Sequence, residues 1–331
     1  MKILVTGGTG FIGSHTCVEL IESGYEVVII DNLYNSSADV IDKIEKITGV
    51  RPVFYEADIR DADALDRIFT AHDIEAVIHF AGLKAVGESV EKPLLYYEWN
   101  IGGTVTLLQQ MQKHGCKNIV FSSSATVYGA PKSVPITEDF PLSTTNPYGS
   151  TKLMIENILQ DVHVSDPYFC AILLRYFNPI GAHPSYLLGE KPNGIPNNLM
   201  PRIICAAKGE TEGITVFGTD YDTKDGTGVR DYIHVVDLAK GHIKALQKIN
   251  TGKVHIYNLG TGVGYSVFEL VDTFNKVNGT NVKKIICDRR PGDIAECYAN
   301  PQKALDEIGW KAQLGIEEMC KSSWEFAKHQ D

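Results

Sequence analysis

Six short, continuously apolar runs recur along the first half of the chain, at Ile3–Val5, Val27–Ile30, Val53–Tyr55, Ala76–Phe80, Ile119–Phe121 and Ala171–Leu174. Helical patterns near 12–23, 61–71, 94–114 and 147–163 separate them. Strand-sized runs without polar alternation suit strands covered on both faces. Strands that alternate with helices build a parallel sheet through right-handed crossovers. The expected fold is therefore α/β, with a doubly wound parallel sheet.

Past residue 178 the rhythm breaks. Pro179, Gly181, Pro184, Gly189, Pro192, Gly194 and Pro196 crowd one stretch, and 218–228 is polar and loop-like. Loops of this length inside a compact chain are usually functional. Ile256–Leu259 reads as one more sheet strand, followed by helices at about 266–278, 301–308 and 316–328. The expected division is a nucleotide-binding unit of 1–177 plus about 229–262, with a smaller interleaved unit of about 178–228 plus 263–331.

A hydrophobic fraction of 44% with 22% charged residues excludes a disordered chain. The net charge of −10 argues against a nucleic-acid surface, so a phosphorylated ligand must be held by local cations or backbone N–H groups. No apolar run approaches the roughly 18 residues of a membrane span. Ile3-Leu4-Val5 is too short for a secretory signal. Cysteines 17, 116, 170, 205, 287, 297 and 320 contain no C-x-x-C and read as reduced thiols, which gives a cytoplasmic expectation. The histidines show no H-x-x-x-H spacing, so no metal site is expected.

Thr6-Gly7-Gly8-Thr9-Gly10-Phe11-Ile12-Gly13 follows the first strand and opens a helix. Gly7, Gly10 and Gly13 allow a tight turn, close backbone approach to a pyrophosphate and close helix–sheet packing, the features of a Rossmann-type dinucleotide site. The helix N-terminus offers free N–H groups to phosphate. The spacing G-x-x-G-x-x-G departs from the plain G-x-G-x-x-G fingerprint. Asp31, eighteen residues beyond Gly13, ends the second strand where a carboxylate can hold ribose hydroxyls. Asp31-Asn32-Leu33-Tyr34-Asn35-Ser36 holds no basic residue for a 2′-phosphate, which favours NAD over NADP. Gly13 is followed by Ser14 rather than Lys, which excludes a P-loop.

Asn146-Pro147 reads as an N-cap and first-turn proline. Tyr148 and Lys152 then lie on one helical face, and Ser122-Ser123-Ser124 ends the fifth strand, at the side of a doubly wound sheet where ligands bind. A tyrosine acting as base near pH 7 needs a shift of about three pH units, roughly 4 kcal/mol. Lys152, a nicotinamide cation and the helix N-terminus would all favour the phenolate. Ser124 would donate or relay a hydrogen bond, completing proton-and-hydride chemistry on a carbinol.

The glycine turn, Ser124 and Tyr148-x-x-x-Lys152 resemble the extended short-chain dehydrogenase/reductases. The strings 79–89, 121–129, 175–179, 194–199 and 226–234 narrow the resemblance to the UDP-glucose 4-epimerases, over essentially the whole chain. That resemblance implies NAD contacts from Gly7, Gly10, Phe11, Ile12, Gly13, Asp31, Asn32, Asn35, Ser36, Asp58, Ile59, Phe80, Lys84, Tyr148, Lys152, Tyr176 and Phe177. It implies UDP-hexose contacts from Ser124, Ala125, Thr126, Tyr148, Asn178, Asn198, Leu199, Val216, Phe217, Arg230, Arg290, Asp293 and Cys297. Arginines suit a diphosphate, and amides suit hydroxyls and uracil edges. Trp99 beside Asn100 departs from the paired asparagines of some relatives.

The implied activity is 4-epimerisation. Tyr148 takes the proton of the sugar 4-hydroxyl, C4 hydride passes to held NAD, the ketone turns over, and hydride returns to its other face. A nucleotide-sugar 4,6-dehydratase would share the first oxidation, but relatives of that kind carry Asp-Glu where this chain has Ala125-Thr126. A silent NAD-sensing protein of the same fold is the alternative from another class, and Ser124, Tyr148 and Lys152 speak against it. The resemblance also places Cys297 at the wall beside the sugar C2 substituent, which implies tolerance of UDP-GlcNAc and UDP-GalNAc. Apolar Leu153, Met154, Ile155, Ile158 and Leu159 around one helix suit a helix-paired homodimer.

Overall fold

The computed structural model describes residues 1–194, 196–290 and 293–330. In chain order the strands are β1 (Lys2–Thr6), β2 (Glu26–Asp31), β3 (Val53–Glu56), β4 (Ala76–His79), β5 (Asn118–Ser124), β6 (Cys170–Tyr176), β7 (Asn178–Ile180), β8 (Ile214–Phe217), β9 (Val229–His234), β10 (Val254–Leu259), β11 (Gly264–Ser266), β12 (Lys284–Cys287) and β13 (Glu296–Cys297). The helices are α1 (Phe11–Glu22), α2 (Asp39–Thr48), α3 (Ala62–Ala71), α4 (Val86–Glu91), α5 (Pro93–Tyr96), α6 (Gly103–Lys113), α7 (Pro147–Ser165), α8 (Leu199–Ala207), α9 (Val235–Ala245), α10 (Val267–Asn278), α11 (Gln302–Ile308) and α12 (Ile316–Lys328).

Seven parallel strands form one sheet in the order β10-β6-β5-β4-β1-β2-β3. Each apolar run of the sequence lies in one of them, and their alternate side chains fill two cores, one on each face. The strand order reverses between β1 and β4. The crevice outside their C-terminal ends is the ligand position of a doubly wound sheet. The α/β reading therefore holds, and it places the glycine turn after β1 beside the 80–84 loop after β4.

Three features differ from the sequence reading. First, the expected helix over 94–114 is broken: a π-helical turn at Tyr97–Gly102 separates α5 from α6. Gly103 explains the close packing there, since a Cβ would meet Ile59 Cδ1 at 2.7 Å. Second, α2, α4, α8 and α9 arise where no helix was expected. The side chain of His234, not a usual capping residue, accepts from Val236 N–H at the start of α9. Third, β9, grouped in the sequence reading with the first unit, pairs with β7, β11 and β13 in a second small sheet. Helix α9, directly after it, packs on α1. A third core joins α8, α10 and α12 beneath β8.

Candidate active site

The N-terminus of α1 is built for an anion. Gly10 caps it without any side-chain bond, which leaves first-turn N–H groups for a ligand. Gly7 has φ +70°, and a Cβ on Gly13 would sit 2.2 Å from Gly7 O, so neither position takes a side chain without moving backbone. Asp31, buried at the end of β2, accepts from Thr9 N–H (3.1 Å), Leu33 N–H (2.9 Å) and the Ser36 hydroxyl (3.3 Å). Asn32 donates to Asp58 (2.8 Å), whose carboxylate also takes Arg60. Burial pushes Asp58 up, but bonds from Arg60 and Asn32 outweigh it and hold the carboxyl below its usual range. Phe11 and Ile12 line the turn half-exposed, Asn35 is exposed and Ile59 is buried. A carboxylate poised at the second strand beside a bare helix N-terminus fits NAD.

Lys84 is exposed and reaches Glu190 (3.3 Å), which also accepts from Asn198 (2.6 Å). Glu190 thus joins the loop after β4 to the start of α8, a link that sequence reasoning missed because it crosses 106 positions. Asn100, whose role the sequence left open, is buried. It accepts from Leu83 N–H (2.8 Å) and donates to Leu83 O (3.0 Å) and Thr151 (3.0 Å), tying that loop to α7. An asparagine, a poor helix former, inside an otherwise helical run was the available signal. Trp99 stands outside this network, edge-on to Tyr34 with Arg60 over its ring.

At the ends of β5 and β6 the reactive groups meet. Asn146 caps α7 by accepting from Gly149 N–H (2.9 Å), with Pro147 in the first turn. Gly149 lets this turn approach the 125–128 turn, where a Cβ would already stand 3.2 Å from Thr126. Ser124 Oγ accepts from Thr126 N–H (3.2 Å) and from the Thr126 hydroxyl (3.0 Å), which leaves its own proton to donate. That hydroxyl favours the ionised form of the nearby Tyr148 phenol. Lys152 Nζ donates to Ser122 O (2.7 Å) and lies 5.8 Å from the Tyr148 ring centroid.

Burial pushes the Tyr148 phenol up, and the Ser124 hydrogen bond only partly offsets this. Burial lowers Lys152 to about 8. Its ammonium is turned to the Ser122 carbonyl rather than to the phenol. Tyr176, at the end of β6, is buried and bonds His242 of α9, whose ring also packs on Phe80.

The remaining expected sugar-nucleotide residues spread over a more open wall. Asn178 and Asn198 are exposed, Ala125, Thr126, Leu199 and Phe217 are half-exposed, and Val216 is buried in the third core. Arg230 Nη1 donates to Val229 O (2.8 Å). Arg290 is exposed, pairs with Asp293 (2.9 Å) and lies over Phe217. Pro291 and Gly292, between that pair, and Ile195, within the 194–199 string, lie outside the described residues. Cys297 stands opposite Arg230 in the β13–β9 pairing and is buried against Val127, Tyr128, Phe177 and Ala299. Burial pushes its thiol up to about 11.

A family model described as "NAD dependent epimerase/dehydratase family" matches residues 3–260. The UDP-glucose 4-epimerase of Bacillus subtilis (strain 168) is 62% identical over 327 residues, covering 98% of this chain and 96% of that protein. A solved UDP-glucose 4-epimerase from Bifidobacterium longum, in complex with NAD⁺ and UDP, superposes with a TM-score of 0.97 at 54% identity, covering 99% of this chain and 98% of its own. A second, from Stenotrophomonas maltophila with bound NAD and formylated UDP-arabinopyranose, gives 0.98 at 48% identity, covering 100% and 98%.

Proposed function

The chain belongs to the NAD dependent epimerase/dehydratase family, and from that premise we propose that it is an isomerase interconverting UDP-glucose and UDP-galactose at sugar C4. The observation that carries this reading is the meeting of Ser124, Tyr148 and Lys152 at the C-terminal ends of β5 and β6, above a bare helix N-terminus. NAD, when bound, supplies a hydride acceptor and donor and a positive charge. Gly7, Gly10, Phe11, Ile12, Gly13, Asp31 and Lys84 would hold it.

Tyr148 takes the proton of the sugar 4-hydroxyl, with Ser124 donating to the reacting oxygens. Lys152, buried with its ammonium held on Ser122 O, orients and charges the pocket. Arg230, Arg290, Asp293, Asn178 and Asn198 hold the UDP portion on the open wall, so that the hexose can turn while its nucleotide stays gripped. The first unit thus serves the cofactor and the second the sugar nucleotide. Ala125-Thr126 in place of an acidic pair leaves no acid/base for elimination across C5–C6, which disfavours the dehydratase alternative.

Cys297 belongs to the same reading. A small side chain at this wall leaves room for an acetamido group, so UDP-GlcNAc and UDP-GalNAc are also interconverted, and Cys297→Tyr should abolish only that activity by overpacking. Exposed Val90, Leu94 and Met154, on the packed helices α4, α5 and α7, support a homodimer through this face, which sedimentation would test. Among the described residues no helix is long and apolar enough to cross a membrane, and the cytoplasm is the proposed location. The test of the activity is to supply UDP-galactose without added NAD. UDP-glucose should appear catalytically, whereas free NADH formed one-for-one with substrate would identify a dehydrogenase instead.

A further inference from the structure

Beneath the reactive groups lies an ion pair that the chemistry above does not use. Arg175 of β6 and Glu156 of α7 are buried to 1% and 0% side-chain exposure and meet at 2.7 Å. Glu156 is one helical turn past Lys152. Its Oε1 accepts from the Ser123 hydroxyl and from Arg175 Nε (3.0 Å), and its Oε2 accepts from Arg175 Nη2 (2.7 Å). Ser123 and Arg175 are direct neighbours across β5 and β6, one residue before Ser124 and Tyr176. Arg175 Nη1 also donates to the Tyr128 hydroxyl (2.9 Å) and Glu138 O (3.1 Å). Tyr128 donates to Asn258 (2.7 Å), and Asn258 to Ile136 O (2.9 Å).

One guanidinium thus ties together α7, both reactive strand ends, the 125–128 turn and, through Tyr128 and Asn258, strand β10. A buried ion pair gains little stability over apolar residues of the same volume, because desolvation consumes the attraction. What it adds is direction. The apolar contacts of Ile155 and Leu159 hold α7 to the sheet but define no register along it, whereas a forked pair does. A misplacement of about 1 Å at a reacting group can cost on the order of 100-fold in rate.

We propose that Arg175 and Glu156 are positioning residues that set the register of α7 on β5 and β6, so that Tyr148 meets Ser124. The proposal rests on Tyr148 as the base. Its test is the triple variant Glu156→Met, Arg175→Met and Ser123→Ala, which removes the charges and the hydroxyl that would lose its acceptor. The thermal midpoint should stay close to that of the parent protein. The kcat per mole of bound NAD should fall roughly 10- to 100-fold while KM for UDP-galactose stays within about twofold.

A readout independent of turnover is the ultraviolet titration of Tyr148, taken as the difference from the same protein carrying Tyr148→Phe. Loss of the Ser124 hydroxyl's contribution should move it upward. A stable triple variant with unchanged kcat and unchanged titration overturns the proposal. Should the triple variant not fold, Arg175→Lys keeps the charge but loses the fork. It should show the same kcat loss and titration shift, and normal values for both would equally overturn the proposal. An unmodified protein that titrates as described but does not epimerise refutes the assigned activity and leaves the positioning result to stand on the titration.

Discussion

Two arginine–carboxylate pairs mark the two sides of the site, and they differ in nearly every respect. Arg175–Glu156 is sealed from solvent beneath the reactive strand ends, while Arg290–Asp293 stands at the rim with the arginine side chain 58% exposed. The inner pair ties a long helix to the strand that follows it; the outer one spans a single loop. An exposed pair is worth little, because water and salt screen it. Arg290 can therefore trade Asp293 for a diphosphate at small cost. The inner pair cannot be opened without stranding a charge. Chemistry that needs a fixed base and a movable sugar is served by that contrast.

The contrast can be broken most severely at the base itself. Tyr148→Phe should lower kcat by roughly 10²- to 10⁴-fold while UDP still binds, as isothermal calorimetry would show; near-normal turnover would remove Tyr148 from its role. Next in size, Glu156→Gln should cost about 3–5 kcal/mol in urea unfolding, because it leaves the Arg175 charge uncompensated. Arg290→Ala should leave stability within about 0.5 kcal/mol but raise KM for UDP-galactose by 1.5–3 kcal/mol equivalent, roughly 10- to 100-fold. Equal stability losses at the two sites would erase the distinction between inner and outer pair.

The smallest effect concerns pH. Burial lowers Lys152 to about 8, below the ordinary lysine value near 10.5. The unfolded chain then binds the extra proton between these values, so stability rises with pH across that window. Lys152→Met should lack this gain when unfolding is compared at pH 8 and pH 10. Parallel behaviour of the two proteins would mean that the ammonium is better solvated than its surroundings imply.

The inner side was partly legible in the sequence. Continuous apolar runs of strand length bounded by turns suit strands covered on both faces, and Gly7 and Gly13 occupy positions where a Cβ would strike backbone. Asn146-Pro147 announced α7, and with it the shared face of Tyr148 and Lys152. The ion pair beneath was not legible, since Glu156 and Arg175 look like ordinary surface charges until β6 pairs with β5. Asn100 and Glu190 were hidden for the same reason: their partners are set by how loops meet, not by local spacing. On the outer wall, family resemblance named residues that periodicity could not.

In the proposed epimerisation, hydride leaves and returns to the same sugar while the base stays fixed and the hexose turns. UDP-galactose deuterated at C4, mixed with unlabelled UDP-galactose carrying a heavy-isotope tag elsewhere in the hexose, tests it most directly by mass spectrometry of the UDP-glucose formed. Each product molecule should keep its own C4 label, with no crossover to the tagged sugar and no loss to water. Deuterium appearing in the tagged product, or washing out into solvent, would contradict it.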